Sequence, residues 1–349
     1  MHPYTLTLLF FGLVLGTTLT ATSSHWLLAW MGLEINTLAI IPLMAQQNHP
    51  RAIEATTKYF LTQATAAATL LFASLTNAWL TGQWDIQLMT HPIPTTMIIL
   101  ALSLKLGLAP LHTWLPEVLQ GLDLTTGLIL STWQKLAPFA LLLQIPTASQ
   151  ELFVLLGLAS TLVGGWGGLN QTQLRKILAY SSIAHLGWML LIIQYAPTLT
   201  LLALMTYLVM TSSLFLALSF NSTTNVNSLA TAWAKAPLIT TLAPLLLLSL
   251  GGLPPMTGFM PKWLILQELT KQHLPMTATF VALTALLSLY FYLRLSYAMT
   301  LTLSPNNVAG LTPWRLPPTH FTLPLSMTTL STVLLLALNP CNFCPPKPL

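Results

Sequence analysis

The sequence predicts an all-α polytopic membrane protein of about 11 transmembrane helices, arranged as inverted repeats with two discontinuous helices. Three observations predict it. There are too few charges for a soluble surface. Apolar runs of bilayer length follow one another through short loops. One gapless internal repeat carries prolines to membrane depth.

Of 349 residues, 54% are hydrophobic and only 5% charged, with a mean hydropathy of +0.72. Soluble domains carry about 25% charged residues, and a chain this large could not cover a wetted surface with so few. Twelve Lys and Arg against seven Asp and Glu give a net +5. The cations are scattered singly, with no stripe that could follow a phosphate backbone, so nucleic acid is excluded as a partner.

Spans of about 20 apolar residues are expected at 3–22, 25–45, 57–80, 95–118, 123–144, 150–169, 176–195, 198–220, 238–268, 276–298 and 322–340. The first is too long for a signal core, lacks a basic flank and ends in Thr and Ser, so it reads as a span. The second carries Glu34. The fourth, "LALSLKLGLAPLHTWLPEV", carries Lys105, His112 and two prolines. The fifth carries Lys135 and Pro138, the seventh His185 in "SSIAHLGW", and the ninth Lys262. "GGWGG" in the sixth suits close helix approach rather than phosphate binding. The polar stretches 221–237 and 302–321 cannot hold a soluble domain, leaving no room for a nucleotide or redox module. A single membrane domain is expected over 1–349, with a first repeat at about 1–145, a second at about 150–300 and a last helix at about 322–340. Cys341 and Cys344 form a C-x-x-C spacing in the tail, but no second pair or nearby His completes a metal set.

The repeat is "GLAPLHTWLPE" (107–117) on "GLPPMTGFMPK" (252–262), a constant shift of 145 residues. Gly107/Gly252, Leu108/Leu253, Pro110/Pro255 and Pro116/Pro261 are identical, and Trp114/Phe259 are both aromatic. The copies lie five spans apart, so they are expected to cross in opposite directions, the pattern of an inverted repeat with a broken helix in each half. Pro110 and Pro255 would free backbone groups at membrane depth, tolerated only where protein covers them or water reaches them.

Orientation follows the basic residues. Arg51, Lys58, Arg175, Lys176, Lys235, Arg294 and Arg315 are expected on the side of Met1, against Lys271 and Lys347 opposite. That bias puts the amino terminus inside and the carboxyl terminus outside.

Glu34, Lys105, Lys135 and Lys262 are the ionisable residues well inside spans. Charge at depth is costly, so each is a functional candidate; snorkelling to the headgroups and static ion pairing are the alternatives. Lys58, Lys271 and Arg294 lie near span ends and suit snorkelling. Loss of water disfavours an ammonium and a nearby carboxylate favours it. A lysine held between the two influences can take up and release a proton, and Glu34 with Lys105 is the expected pair. His112 and His185 are candidate relays, with helix packing as the alternative for each.

"SLKLGLAPLHTWLPEV", "WQKLAP", "LRKILAYSSIAHLGWM" and "GGLPPMTGFMPKW" resemble the antiporter-like membrane subunits of respiratory complex I, the mitochondrial NADH–ubiquinone oxidoreductase, over essentially the whole chain. The short amino terminus resembles the animal form, which lacks three helices of the bacterial subunit. The resemblance implies proton translocation across the mitochondrial inner membrane, driven by NADH-to-ubiquinone electron transfer in other subunits. It implies Glu34 and Lys105 as a carboxylate–lysine pair, Lys135 as the central relay and Lys262 in the second broken helix. No cofactor is expected in this chain, FMN and iron–sulfur clusters belonging to other subunits. The implied partners are the other membrane and accessory subunits, the lipid bilayer, protons and internal water. A free-standing cation/proton antiporter and a purely structural subunit are the other classes these residues allow.

Overall fold

A computed structural model describes residues 2–46, 49–145, 150–234, 237–254 and 256–301. Pro255, Lys235, Arg315, Lys347, Cys341, Cys344 and the expected span at 322–340 lie outside the described residues. Thirteen α-helices are described: α1 (Pro3–Thr22), α2 (Trp26–Met44), α3 (Pro50–Thr81), α4 (Pro92–Leu106), α5 (Trp114–Gly121), α6 (Leu124–Gln144), α7 (Gln150–Gly168), α8 (Leu174–Ile192), α9 (Pro197–Asn221), α10 (Val226–Ala230), α11 (Pro237–Gly251), α12 (Phe259–Lys271) and α13 (Pro275–Thr300). Among the described residues there is no strand, only isolated bridges at His25–Asp85 and Gln173–Asn225.

The helix starts follow local chemistry. α1, α3, α4, α9, α11 and α13 begin on a proline, whose fixed φ suits the first turn and whose missing N–H has no partner there anyway. His25 and His49 cap α2 and α3 by accepting the backbone N–H of Leu27 and Arg51 at 3.2 Å. α1, α2, residues 151–168 of α7, α9 and α13 are each long and apolar enough to cross a membrane. α3, at 32 residues, is about 48 Å long at 1.5 Å per residue. It exceeds the roughly 30 Å of hydrocarbon, so its first turns, with Arg51, Glu54 and Lys58, have room to reach past it. Pro138 does not end α6.

The chain divides into two compact units, the first holding the residues up to Gly164 with Leu178–Pro197, the second Gly165–Ile177 with the described residues from Thr198 onward. In the first, α2 packs on α1 and α3; α3 also packs on α4 and α5, and α6 lies against α1, α2 and α4. Its core gathers Ile40, Tyr59, Trp114, Leu115 and Val118. In the second, α10, α11 and α12 pack on α13. There Arg294 donates to the Leu169 carbonyl at 2.9 Å and the Trp233 indole to the Met299 carbonyl at 2.6 Å.

Large apolar side chains point outward, Phe11, Leu61, Phe72, Leu155, Trp166, Leu283 and Leu286 among them. A soluble monomer rarely exposes so much contiguous apolar surface; facing hydrocarbon it is ordinary. With lipid outside, helices associate by close packing of small residues. In the first unit a Cβ at Gly187 would meet the Ser160 side chain, Thr161 Cγ2 at 2.8 Å and the Gly157 carbonyl at 2.9 Å. At Gly12 the nearest atom is the Ala39 Cβ at 3.4 Å.

Overpacking such a contact typically costs about 1–3 kcal/mol. Gly187→Leu is therefore expected to lower the thermal midpoint of the detergent-solubilised protein, with Gly12→Ala close to wild type. Equal midpoints for the two variants would remove the α7–α8 contact from the forces that hold this unit.

Candidate functional site

Both repeat copies form breaks of one local design. α4 ends at Leu106 and Gly107 turns left-handed, φ +76°; Leu108 N–H then bonds the Ser103 carbonyl at 2.9 Å and Gly107 N–H the Leu104 carbonyl at 3.1 Å. α11 ends at Gly251 and Gly252 turns left-handed, φ +81°, with Leu253 N–H on the Leu248 carbonyl at 3.3 Å and Gly252 N–H on that of Ser249 at 3.0 Å. Each pair of bonds is a Schellman termination, and the 145-residue shift maps one on the other donor for donor and acceptor for acceptor. Only glycine enters the left-handed region without Cβ strain. The chain then runs without regular helix to Trp114 in one copy, and in the other the described residues do so as far as Phe259.

The last carbonyls of a helix have no partner within it. At the first break the Trp114 indole N–H donates to the Leu104 carbonyl at 3.0 Å, its ring tilted on Tyr59 at 5.7 Å. At the second, Lys262 Nζ donates to the Gly251 carbonyl at 2.8 Å and the Leu250 carbonyl at 3.3 Å. Cationic donors suit this end of a helix, where the macrodipole is negative.

Beside the first break is a cavity of about 20 Å³, roughly the space one water needs. Lys105 lines it from α4 and Lys135 from α6, with Gln63 and Tyr59 on α3, Gln134 on α6 and Trp114 on α5. Lys105 is 6% exposed and Lys135 3%. The structure thus brings these two candidate lysines to one small cavity. Lys105 Nζ is buried and has no hydrogen-bond partner. Glu34 lies within electrostatic reach of Lys105 and of Tyr59. It does not close a direct hydrogen bond with Lys105, and its own Oε2 is buried without a partner.

Lys262, 9% exposed, belongs to the second unit and is described with the second break. His112, half-buried just past the first break, lies with Nδ1 3.3 Å from the Pro110 carbonyl and its ring 6.4 Å from that of Tyr180. His185 is half-buried on α8. Neither histidine lines the cavity. Lys58, expected to snorkel, meets Glu54 at 2.9 Å and Glu117 at 2.8 Å, tying α3 to the helix that follows the break. Gln63, Gln134 and Tyr59 were not legible as site residues. The one available signal was the four-residue spacing of Tyr59 and Gln63, which puts them on one helix face. Among the described residues, no group of three or more His, Cys, Asp and Glu is placed to hold a metal ion.

A family model described as "NADH:quinone oxidoreductase/Mrp antiporter, TM" matches residues 23–288, and one described as "NADH dehydrogenase subunit 2 C-terminus" matches 289–342. The chain is 73% identical over 340 residues to the NADH-ubiquinone oxidoreductase chain 2 of Tetraodon nigroviridis, spanning 97% of this chain and 98% of that one. It is 70% identical to that of Salmo salar, with the same coverage. Among solved structures it resembles a chain of respiratory complex I from Thermus thermophilus with bound aureothin, at TM-score 0.83, 29% identity, 96% of this chain and 79% of that one. Its fold is shared with a chain of the Mrp complex from Dietzia sp. DQ12-45-1b, at TM-score 0.76, 15% identity, 92% of this chain and 73% of that one.

A hydrogen bond typically contributes about 0.5–1.5 kcal/mol net. Trp114→Phe keeps the ring on Tyr59 but removes the second donor to the Leu104 carbonyl, which retains the Gly107 N–H at 3.1 Å, and is expected to destabilise by that amount. Trp133→Phe, whose N–H lies 3.4 Å from the Leu13 carbonyl at a 37% exposed residue, should cost less. Thermal midpoints of the purified variants decide it; a smaller loss at Trp114 than at Trp133 would show that the indole does not close the break.

Proposed function

The chain belongs to the NADH:quinone oxidoreductase/Mrp antiporter transmembrane family, among the NADH–ubiquinone oxidoreductase chains 2, and from that premise we propose that Lys105, Lys135 and Lys262, with Glu34 as a charge partner, carry protons through it. It is a multi-pass, proton-translocating membrane subunit of that oxidoreductase. The observation that carries the residue assignment is the convergence of Lys105 and Lys135, from two helices, on one cavity with room for water.

A proton cannot cross about 30 Å of hydrocarbon unaided, and each charge moved against 100 mV needs about 2.3 kcal/mol. Lysines joined by water divide that passage into short transfers, each between an ammonium and a neutral amine. Glu34 steadies the ammonium of Lys105 through space; a change in their separation would alter how firmly Lys105 keeps its proton. His112 and His185 are assigned as relays beyond the cavity.

The two broken helices, five expected spans apart, cross in opposite directions as an inverted repeat within about 11 spans and one domain. The oxidation of NADH and the reduction of ubiquinone take place in other subunits, which hold the FMN and iron–sulfur clusters, and this chain has no redox group of its own. Other membrane and accessory subunits of the complex cover its flanks. The chain lies in the mitochondrial inner membrane, with Met1 in the matrix and Leu349 in the intermembrane space.

Lys135→Met keeps length and removes charge, and is expected to leave assembly intact while impairing proton pumping and the electron transfer coupled to it. Lys135→Arg should fail as well, because a guanidinium does not release its proton. Normal pumping by an assembled Lys135→Arg complex would replace the relay with a static positive charge. For orientation, protease added to mitoplasts should remove the carboxyl-terminal tail. A tail protected there and cut only from the matrix side would reverse the assignment.

A further inference from the structure

Gln63 is 4% exposed in α3, lines the cavity beside Lys105 and Lys135, and has its Nε2 buried without a hydrogen-bond partner. An unpaired buried donor is rare, and each one in a folded protein calls for a partner or a purpose. The other amide of the cavity is committed elsewhere, since Gln134 Nε2 donates to the Asn36 carbonyl at 3.1 Å. Lys105 Nζ is the second buried donor there without a partner. Two unpaired donors on residues that line a space of about 20 Å³ match a single water molecule, because water has two acceptor lone pairs and needs about three polar neighbours.

We infer that Gln63 is a positioning residue of proton transfer: its amide N–H holds and orients a water in the cavity between Lys105 and Lys135. The inference rests on the lysine relay proposed above. With one lone pair bound to Gln63 and the other facing the Lys105 ammonium, both water protons point away from these donors and one is directed at Lys135. In the transfer the Lys105 ammonium gives a proton to the water as the water gives one of its own to the neutral Lys135 amine. One N–H bond breaks and one forms, the water is regenerated, and no other reactant is needed. Gln63 gives up no proton. A donor at this place fixes the direction in which the water's protons point; an acceptor would turn them back.

The test is made in the assembled complex, with NADH oxidation by a soluble artificial acceptor as the measure of enzyme present. Gln63→Met removes the amide at nearly constant length. It is expected to slow pumping and NADH-to-quinone turnover by roughly tenfold, less than the roughly 10²–10⁴-fold contributed by a group that itself transfers the proton, because Gln63 only positions the water. It should also raise the solvent deuterium isotope effect on that turnover above the wild-type value. Packing damage alone would reduce the amount of complex and leave the isotope effect per complex unchanged. Gln63→Glu is isosteric and polar, replaces the donor with an acceptor, and should slow turnover as much. If Gln63→Met does not assemble, Gln63→Glu decides. Wild-type pumping and isotope effect in an assembled Gln63 variant, alongside an impaired Lys135→Met, would overturn the role of Gln63 and leave the relay standing. Wild-type behaviour of Lys135→Met would remove the relay itself, and this inference with it.

Discussion

In hydrocarbon a backbone carbonyl or a charged group has no water to turn to, and every other feature of this chain answers that constraint. Continuous helices satisfy it without help. The two places where the helix stops inside an expected span are therefore the places where the sequence has to supply partners. It supplies them in three layers: a left-handed glycine that lets two N–H groups fold back, a side-chain donor to the carbonyls of the last turn, and apolar packing that keeps lipid away. At the first break the layers are Gly107, Trp114, and the core of Tyr59, Leu115 and Val118. At the second they begin with Gly252 and Lys262. Lys105 and Lys262 flank these breaks, whereas Glu34 and Lys135 stand on α2 and α6.

The copies share backbone bonds but not charges. At the shift of 145, Leu250 stands where the first copy has Lys105, and Glu117 where the second has Lys262. Glu117 turns outward to Lys58 at 2.8 Å, whereas Lys262 turns inward to the end of α11, the helix before the break. One backbone device thus carries a lysine before the break in one copy and after it in the other. Termination is set by glycine and by hydrogen bonds that any side chain permits, so the charged positions were open to diverge without unmaking the turn.

Much of this was legible in the sequence. Spans showed because apolar length is a property of composition. The breaks showed because Gly and Pro recur at a fixed shift, and the lysines because charge is so scarce here that each one inside a span stands out. Gln63 gave no such signal: in "YFLTQATAA" it is one polar residue beside threonines, and its meaning depends on which face of α3 meets α4 and α6. The Lys58–Glu117 pair joins residues 59 apart, a contact that spacing along one helix cannot reveal. Glu34 and Lys105 were legible as neighbours, but the distance between acting through space and touching is set by the packing of α2 against α3 and of α3 against α4.

The two ways of closing a helix end also divide the lysines into two kinds. At the first break the Trp114 indole adds a second, neutral donor to the Leu104 carbonyl, while Lys105 lines the cavity with its Nζ bonded to no carbonyl. At the second break no tryptophan stands at the corresponding place; Phe259 has no donor, and the lysine itself closes the terminus. On the proposed relay, releasing a proton from Lys262 would part it from two carbonyls and from the negative end of a helix dipole, whereas releasing one from Lys105 would part it from no carbonyl.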